Sequence, residues 1–369
     1  TNCGNVLPRL ASNHLLVRIQ LRRDRNTDSV WRHSNGDAKT ITLNAPIAVP
    51  GDGFLRGNNY AEDYLFVSKA THKGLIIKAQ SGFFTVETNE GFIVSQLRGK
   101  LKQGRAIGDI AALGDKVWVR KLADGSGVIE EVEERRRAIV RLDPRPQGEY
   151  QQVLLANPDQ AVFVFACAHP RPKLRMLDRY LVISEKQQIP AVIVANKIDL
   201  VDDPRKLFGL YESIGYRVIY TSVKSGDGLE EFKATLLGKV SALAGPSGVG
   251  KSSLLNAIQP GLGLEVNEVS TAMKKGKHTT VTRELFALAE RDGGYVADTP
   301  GWKSLALWDT QPEELDAYFP ELRDLVAHCQ FSDCTHIHEP GCAVRAALEE
   351  GKIHPERYDS YLRLRAGED

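Results

Sequence analysis

Methionine is nearly absent from this chain. Its 369 residues contain two, and the first is Met176. The chain begins at Thr1, so its first residue is not an encoded start. Cysteine is also scarce, at five residues, an odd number. Cys329, Cys334 and Cys342 fall within one short stretch, with Cys3 and Cys167 far away. That clustering excludes a disulfide framework spread along the chain and reads as a metal site in a reducing compartment, with cytoplasm as the default. There is no excess of charge of one sign: Lys plus Arg is 48, Asp plus Glu is 47, and the net charge is +1. A strongly basic coat for nucleic acid is therefore excluded, and any such binding must come from local patches. No apolar run approaches the roughly 20 residues of a membrane helix. Positions 1–16 lack the charged and apolar regions of a secretory signal. With 26% charged and 42% hydrophobic residues, the composition excludes disordered and collagen-like classes. The length allows roughly two to three domains.

What is present changes along the chain. Residues 1–66 are rich in Asn and turn residues, such as Pro50-Gly51-Asp52-Gly53 and Gly57-Asn58-Asn59. We expect an irregular or non-native extension there. From Leu75 to Val132 short apolar runs are separated by turns, for example Phe83-Phe84-Thr85-Val86 before Asn89-Glu90-Gly91. Several short strands in so small a space predict a small barrel. The loop Arg98–Arg105 carries Arg98, Lys100, Lys102 and Arg105. It is either a solvated barrel face or an RNA-contacting loop. Beyond Pro144 and Pro146, apolar strands at 161–165, 191–195, 217–220, 240–244 and 295–297 alternate with helical stretches such as Met176 to Gln188. This predicts a parallel α/β sheet covered on both faces.

Gly245-Pro246-Ser247-Gly248-Val249-Gly250-Lys251-Ser252 fits G-x-x-x-x-G-K-[ST] between a predicted strand and an apolar helix, the context the motif needs. Glycines let backbone N–H groups turn inward around phosphates, and the helix N-terminus adds positive potential. Lys251 should reach the β- and γ-phosphates, acting in binding and catalysis, and Ser252 should ligate Mg²⁺. Ser253 completes the loop. Asn196-Lys197-Ile198-Asp199 follows the strand 191–195 and fits N-K-x-D, the guanine reader of GTPases. The Asp199 carboxylate can accept two parallel hydrogen bonds from guanine N1–H and its amine, a donor pair adenine lacks. Ser222-Val223-Lys224 follows the strand 217–220 and resembles the S-A-K loop that backs guanine, with Val in place of Ala.

Asp298-Thr299-Pro300-Gly301 fits D-x-x-G. Asp298 should hold Mg²⁺ through water, and the Gly301 N–H should sense the γ-phosphate. The next residue is Trp302, which cannot orient a water as the Gln of small GTPases does. The stretch at about 266–282 lies where switch I belongs and contains Lys274-Lys275-Gly276-Lys277-His278-Thr279-Thr280. Thr279 or Thr280 should complete the Mg²⁺ shell, with Thr280 preferred. His278 is the candidate for positioning water or stabilising charge, against the reading of a solvated loop histidine.

The motifs are complete but rotated: N-K-x-D (196–199), S-V-K (222–224), phosphate loop (245–252), switch I, then D-x-x-G (298–301). A circular permutation keeps the packed sheet and changes only its connections. After D-x-x-G comes Cys329-x4-Cys334-x-His336-x5-Cys342. Three thiolates and an imidazole suit a closed, structural tetrahedral zinc site. His328 and His338 are spare.

A small barrel, a permuted GTPase and a Cys-Cys-His-Cys module in that order resemble the ribosome small-subunit-dependent GTPase family (RsgA type). The strings Gly276-Lys277-His278-Thr279-Thr280, Phe319-Pro320-Glu321-Leu322 and His338-Glu339-Pro340-Gly341-Cys342 carry the likeness. Lys277, where Arg is frequent in the family, and Val281, where Thr is common, depart from it. The resemblance covers about Val67 to the C-terminus. It implies an oligonucleotide-binding (OB-type) barrel at 67–143, a permuted GTPase at 144–308 and a helical zinc module at 309–369. It also implies GTP hydrolysis stimulated by the small ribosomal subunit, a role in late maturation of that subunit, and His278 assisting hydrolysis in place of Gln. The expected partners are the small subunit and its rRNA, with no membrane and a monomeric working form. Family members usually begin shortly before the barrel, so Val67, from a GTG codon, is the expected natural start. The rivals are a permuted GTPase of the large subunit and a zinc-stabilised RNA-binding module whose nucleotide is structural.

Overall fold

The computed structural model describes residues 15–21, 31–32, 63–67, 71–102, 108–142, 150–262, 283–289, 293–298 and 310–368. For the first three ranges, and for Leu142, Arg283 and Asp298, it describes backbone alone. The chain divides into two compact units, Thr1–Thr71 and His72–Asp369.

In the first unit, β1 (Leu15–Leu21) pairs antiparallel with β2 (Trp31–Arg32) on one side and β3 (Asp63–Val67) on the other. These strands lie in the stretch expected to be irregular. Val17, Ile19 and Leu21 alternate with Arg18 and Gln20, which is the period-two pattern a strand needs.

The second unit opens with a barrel. Its strands are β4 (Thr71–Gln80), β5 (Phe83–Thr88), β6 (Gly91–Leu97), β7 (Lys116–Lys121) and β8 (Gly127–Val132). They run in the order β4-β5-β6-β8-β7, and a β4–β7 pairing closes the ring. The β6–β8 pair is parallel, while β4–β5, β5–β6 and β7–β8 are antiparallel. This is the OB arrangement, as the resemblance implied. Inward residues fill it: Ile76, Val86, Ile93, Val117, Val119 and Ile129 are buried. Each contributes about 1.5–3 kcal/mol of burial relative to exposure.

A hairpin of β9 (Ala138–Leu142) and β10 (Gln151–Ala156) leads into the α/β sheet. Its strands are β11 (Gln160–Ala166), β12 (Ala191–Asn196), β13 (Arg217–Thr221), β14 (Val240–Ala244), β15 (Arg283–Ala287) and β16 (Tyr295–Asp298). The spatial order is β13-β12-β11-β14-β16-β15. All neighbours are parallel except β15–β16. Helices α1 (Leu174–Lys186) and α2 (Arg205–Ser213) bury Phe163, Phe165, Tyr180 and Phe208 against one face. Helices α3 (Leu229–Leu236) and α4 (Lys251–Ile258) bury Val162, Val164, Phe232 and Leu254 against the other. Both faces are covered, which is why β11 is apolar at nearly every position.

The α/β sheet does not end at β15. That strand pairs antiparallel with β4 of the barrel, Arg283 opposite Ala79 and Glu284 opposite Lys78. Lys78 Nζ lies 3.1 Å from a Glu284 carboxylate oxygen. The Tyr295 hydroxyl on β16 donates to Glu87 on β5 at 2.6 Å. Burial, then the Glu87 carboxylate, push that phenol up to about 12.

The C-terminal module has a 3-10 turn at Pro312–Tyr318, then α5 (Pro320–Val326), α6 (Ala343–Glu349) and α7 (Pro355–Arg365). Its core holds Leu315, Phe319, Leu322, Val344, Ile353 and Tyr361, together with Val182 from α1. Among the described residues, no helix is long and apolar enough to cross a membrane.

Candidate functional site

Asn196, Ser222, Gly245 and Asp298 lie at or just beyond the carboxyl ends of parallel strands β12, β13, β14 and β16. Ligands of open α/β sheets sit at that edge. Three motifs, scattered and rotated in sequence, thus meet along one rim with the backbone of Asp298, which opens the fourth.

The phosphate loop turns between β14 and α4. Two of its glycines are required by geometry. Gly250 has φ 99°, and a Cβ there would lie 2.5 Å from Asn196 Nδ2; a Cβ on Gly245 would collide with the Val164 carbonyl oxygen. Val249 and Ser252 are buried, whereas Ser247 and Gly248 are exposed at the mouth. Lys251 is 9% exposed. Its Nζ donates to the carbonyls of Gly245 (2.8 Å) and Pro246 (3.0 Å). The ammonium is therefore held inside the loop that would cradle phosphates.

The base-reading loop is stapled to the phosphate loop. Asn196 is buried, donates from Nδ2 to Val249 O (2.8 Å) and accepts from the Thr221 hydroxyl (3.1 Å). Lys197 is left-handed (φ 63°). That turn sends its Nζ to Gly248 O (2.7 Å) and to His169 O. Asp199 is exposed, and its Oδ1 accepts from the Ser222 hydroxyl at 2.7 Å. Ser222 itself is buried, and Val223 and Lys224 are exposed beside it. The carboxylate is thus aimed by a buried hydroxyl while its remaining lone pairs face the open rim. Such a pair can read a base with two adjacent N–H donors. Cys167 lies nearby; burial, then Asp199, push its thiol up to about 11, which fits a bystander.

Asp199→Asn tests the base assignment. An amide presents a donor where the carboxylate accepts. We expect GTP affinity to fall about tenfold to a hundredfold, since hydrogen bonds to charged groups are worth about 1.5–3 kcal/mol. Xanthosine triphosphate, which carries a carbonyl in place of the guanine amine, should recover affinity. A titration with both nucleotides checks it; unchanged preference for GTP would remove Asp199 from the site.

His278, Thr279, Thr280 and Gly301, with the rest of switch I, lie outside the described residues, as does the side chain of Asp298. The backbone of Asp298 ends β16 at the same rim.

The second cluster lies in the C-terminal module. One donor atom from each of Cys329, Cys334, His336 and Cys342 lies within 4.8 Å of the others. His336 Nδ1 is 3.4 Å from Cys342 Sγ and 3.6 Å from Cys329 Sγ. Zinc–sulfur and zinc–nitrogen bonds at the tetrahedral angle imply an S···N separation of about 3.6 Å, so the donor set fits zinc. Cys342 caps α6 by accepting from the Arg345 N–H at 3.5 Å. Burial works against its thiolate, but that N–H and the His336 ring outweigh it and hold the thiol below its ordinary value.

Two residues around this cluster were not foreseen from the sequence. Glu339 accepts from the N–H groups of Thr335, Ile337 and His338 and from the Thr335 hydroxyl. These bonds, the Thr335 hydroxyl first, hold its carboxyl well below the usual carboxylate range. Asp316 approaches the far side of His336, Oδ2 to Nε2 at 3.1 Å. The E-P-G-C string hints at the first; nothing in the spacing marks the second.

The basic loop of the barrel is partly committed. Arg98 pairs with Glu130 at 2.6 Å, while Lys100 and Lys102 in the 3-10 turn Gly99–Lys102 are exposed. Arg105 lies outside the described residues. Phe83 and Phe92 are exposed on β5 and β6.

A five-strand barrel, a Cys₃His cluster and a nucleotide-type rim whose motifs run in rotated order define a circularly permuted GTPase. Comparison with known proteins places it further. The model of the RsgA N-terminal domain matches residues 73–129, and that of the RsgA GTPase matches 132–308. The chain belongs to the RsgA GTPase family. A small ribosomal subunit biogenesis GTPase RsgA of Moorella thermoacetica is 43% identical over 291 residues, covering 79% of this chain and 95% of that protein. The protein of the same name from Gemmatimonas aurantiaca is 42% identical over 298 residues, covering 79% and 96%. The crystal structure of YjeQ from Thermotoga maritima superimposes with a TM-score of 0.65 at 37% identity, covering 81% of this chain and 98% of that one. YloQ, described as a circularly permuted GTPase, gives 0.63 at 33% identity.

Proposed function

We propose that this chain is a GTP-hydrolysing factor that binds the small ribosomal subunit in the cytoplasm, assists its late maturation and leaves on hydrolysis. The carrying observation is the rim: Asn196, Lys197, Asp199, Ser222 and Lys251 converge from β12, β13 and β14 through named hydrogen bonds. The names of its relatives supply the ribosomal context. In this reading residues 67–143 are the barrel, 144–308 the GTPase and 309–369 the zinc module, acting as a monomer.

Gly245 to Ser253 bind the phosphates, with Lys251 on the β- and γ-oxygens. Asp199, backed by Ser222 to Lys224, selects guanine, and the Gly301 N–H meets the γ-phosphate. Ser252, Thr280 and Asp298 hold Mg²⁺, which neutralises phosphate charge. Cys329, Cys334, His336 and Cys342 hold a structural zinc. His278 orients the attacking water, since Trp302 cannot. The barrel reaches rRNA through Lys100 and Lys102, with Phe83 and Phe92 as exposed rings of the kind that stack on unpaired bases. The pairing of β15 with β4 supports a direct route to the barrel, because β15 follows switch I in sequence and its neighbour β16 ends on the Asp298 that opens D-x-x-G.

Turnover measured alone, with isolated small subunits and with large subunits tests the proposal. Stimulation by small subunits only is expected. Stimulation by large subunits instead, or no turnover at all, would favour the two rivals in turn. His278→Ala should lower stimulated turnover on the order of 100-fold while GTP affinity holds. Unchanged turnover would return His278 to the solvated loop.

A further inference from the structure

The His336 ring is wholly buried, and its two nitrogens face different groups. Nδ1 faces the sulfurs of Cys329 and Cys342. Nε2 faces the Asp316 carboxylate at 3.1 Å. Asp316 is itself fixed. It sits in the 3-10 turn Pro312–Tyr318, between buried Leu315 and an Ala317 whose carbonyl accepts from Arg323 Nε at 2.9 Å. His336 is fixed from its backbone too: its residue is left-handed (φ 63°), and its carbonyl accepts from the Tyr358 hydroxyl at 2.6 Å.

We propose that Asp316 is the positioning residue of the zinc site. Its carboxylate accepts the Nε2–H of His336, which fixes the tautomer that leaves Nδ1 bare and aims that nitrogen between the sulfurs. A neutral imidazole carries one ring proton, so holding it on Nε2 is what makes Nδ1 a ligand. The negative charge also makes the ring a better donor to a cation. The turn carrying Asp316 is the next described segment after β16. This inference rests on the reading of Cys329, Cys334, His336 and Cys342 as zinc ligands.

Zinc affinity of the full chain, measured by competition with a chromophoric chelator, tests it. The unsubstituted protein should take up zinc. Asp316→Ala should bind it about 10–100-fold more weakly, and Asp316→Asn, which keeps an acceptor but loses the charge, should fall between. In the zinc-loaded parent, nitrogen-edited NMR should show a protected His336 Nε2–H signal, and that signal should vanish in Asp316→Ala. A purely structural aspartate would not move that signal. Zinc affinity of Asp316→Ala within twofold of the parent, with the Nε2–H signal retained, overturns the inference and leaves the ligand reading standing. No zinc uptake by the parent overturns the ligand reading itself. Should Asp316→Ala not fold, judged by circular dichroism, Asp316→Asn decides: weakened zinc binding in the folded variant supports the role, and parental affinity defeats it.

Discussion

Lys251→Ala should lose GTP binding by a factor of about 100 to 10,000. In the folded chain the Lys251 ammonium is drawn into the phosphate loop by the carbonyls of Gly245 and Pro246. It is 9% exposed, so a phosphate entering the loop meets a cation already stripped of most of its water. Two charge-assisted hydrogen bonds, one to each of the β- and γ-phosphates, are worth about 1.5–3 kcal/mol apiece. At about 1.4 kcal/mol per factor of ten, their joint loss gives the stated range. Fluorescent GTP-analogue titration measures it. The variant should keep its melting temperature, because the carbonyls freed by the truncation lie on a loop with an open mouth at Ser247 and Gly248. Lys251→Arg should not rescue binding, since a planar fork replaces a compact ammonium in a loop sized for the latter. GTP affinity within threefold of the parent would sink the phosphate-loop assignment.

The rim and the metal cluster were legible in the sequence because their chemistry is local. A phosphate loop must be glycine-rich, and a zinc site must be cysteine and histidine at short spacing. The apolar strands were legible for the same kind of reason: β11, at Gln160–Ala166, is covered on both faces and reads as a continuous run. The joint between barrel and GTPase was not legible. It depends on Arg283 facing Ala79 and Tyr295 facing Glu87, pairs some two hundred residues apart. Its strand, Arg-Glu-Leu-Phe-Ala, opens on two charged residues and is short. Nor was α7 predicted. An amphipathic helix is recognised by an apolar stripe, but the inward positions of α7 are Arg357, Ser360 and Tyr361. By pattern this face belongs to solvent; in the structure Arg357 and Ser360 on it make polar contacts out of water.

That contact sets the second large effect: Arg357→Ala should destabilise the docking of the C-terminal module by about 3–5 kcal/mol. Arg357 is 1% exposed. Its guanidinium donates to Asp178 on α1 at 2.6 Å and to both oxygens of Glu321 on α5 at 2.6 and 3.2 Å. It lies 4.6 Å from the Phe319 ring centre. Asp178 also accepts from the Tyr211 hydroxyl at 2.8 Å and from Ser360. One cation thus neutralises two carboxylates from two parts of the molecule, and all of them are out of water. Whether such a set stabilises more than an apolar plug is a separate matter, because desolvation offsets much of the attraction. Removing the cation alone is not balanced in that way: it leaves two buried carboxylates facing each other, which costs about 3–5 kcal/mol. Against a total of about 5–15 kcal/mol for an ordinary domain, the loss should lower the melting temperature on the order of 10 °C. Limited proteolysis should cut first between Glu349 and Pro355, where α6 gives way to α7. The triple variant Asp178→Leu, Glu321→Leu, Arg357→Met, which removes every charge at once, should be more stable than Arg357→Ala. If the single variant melts and digests like the parent, the guanidinium is not what holds the module to α1. If the triple variant is the less stable of the two, the cost lies in lost packing and in the buried Tyr211 and Ser360 hydroxyls left without Asp178, rather than in stranded charge.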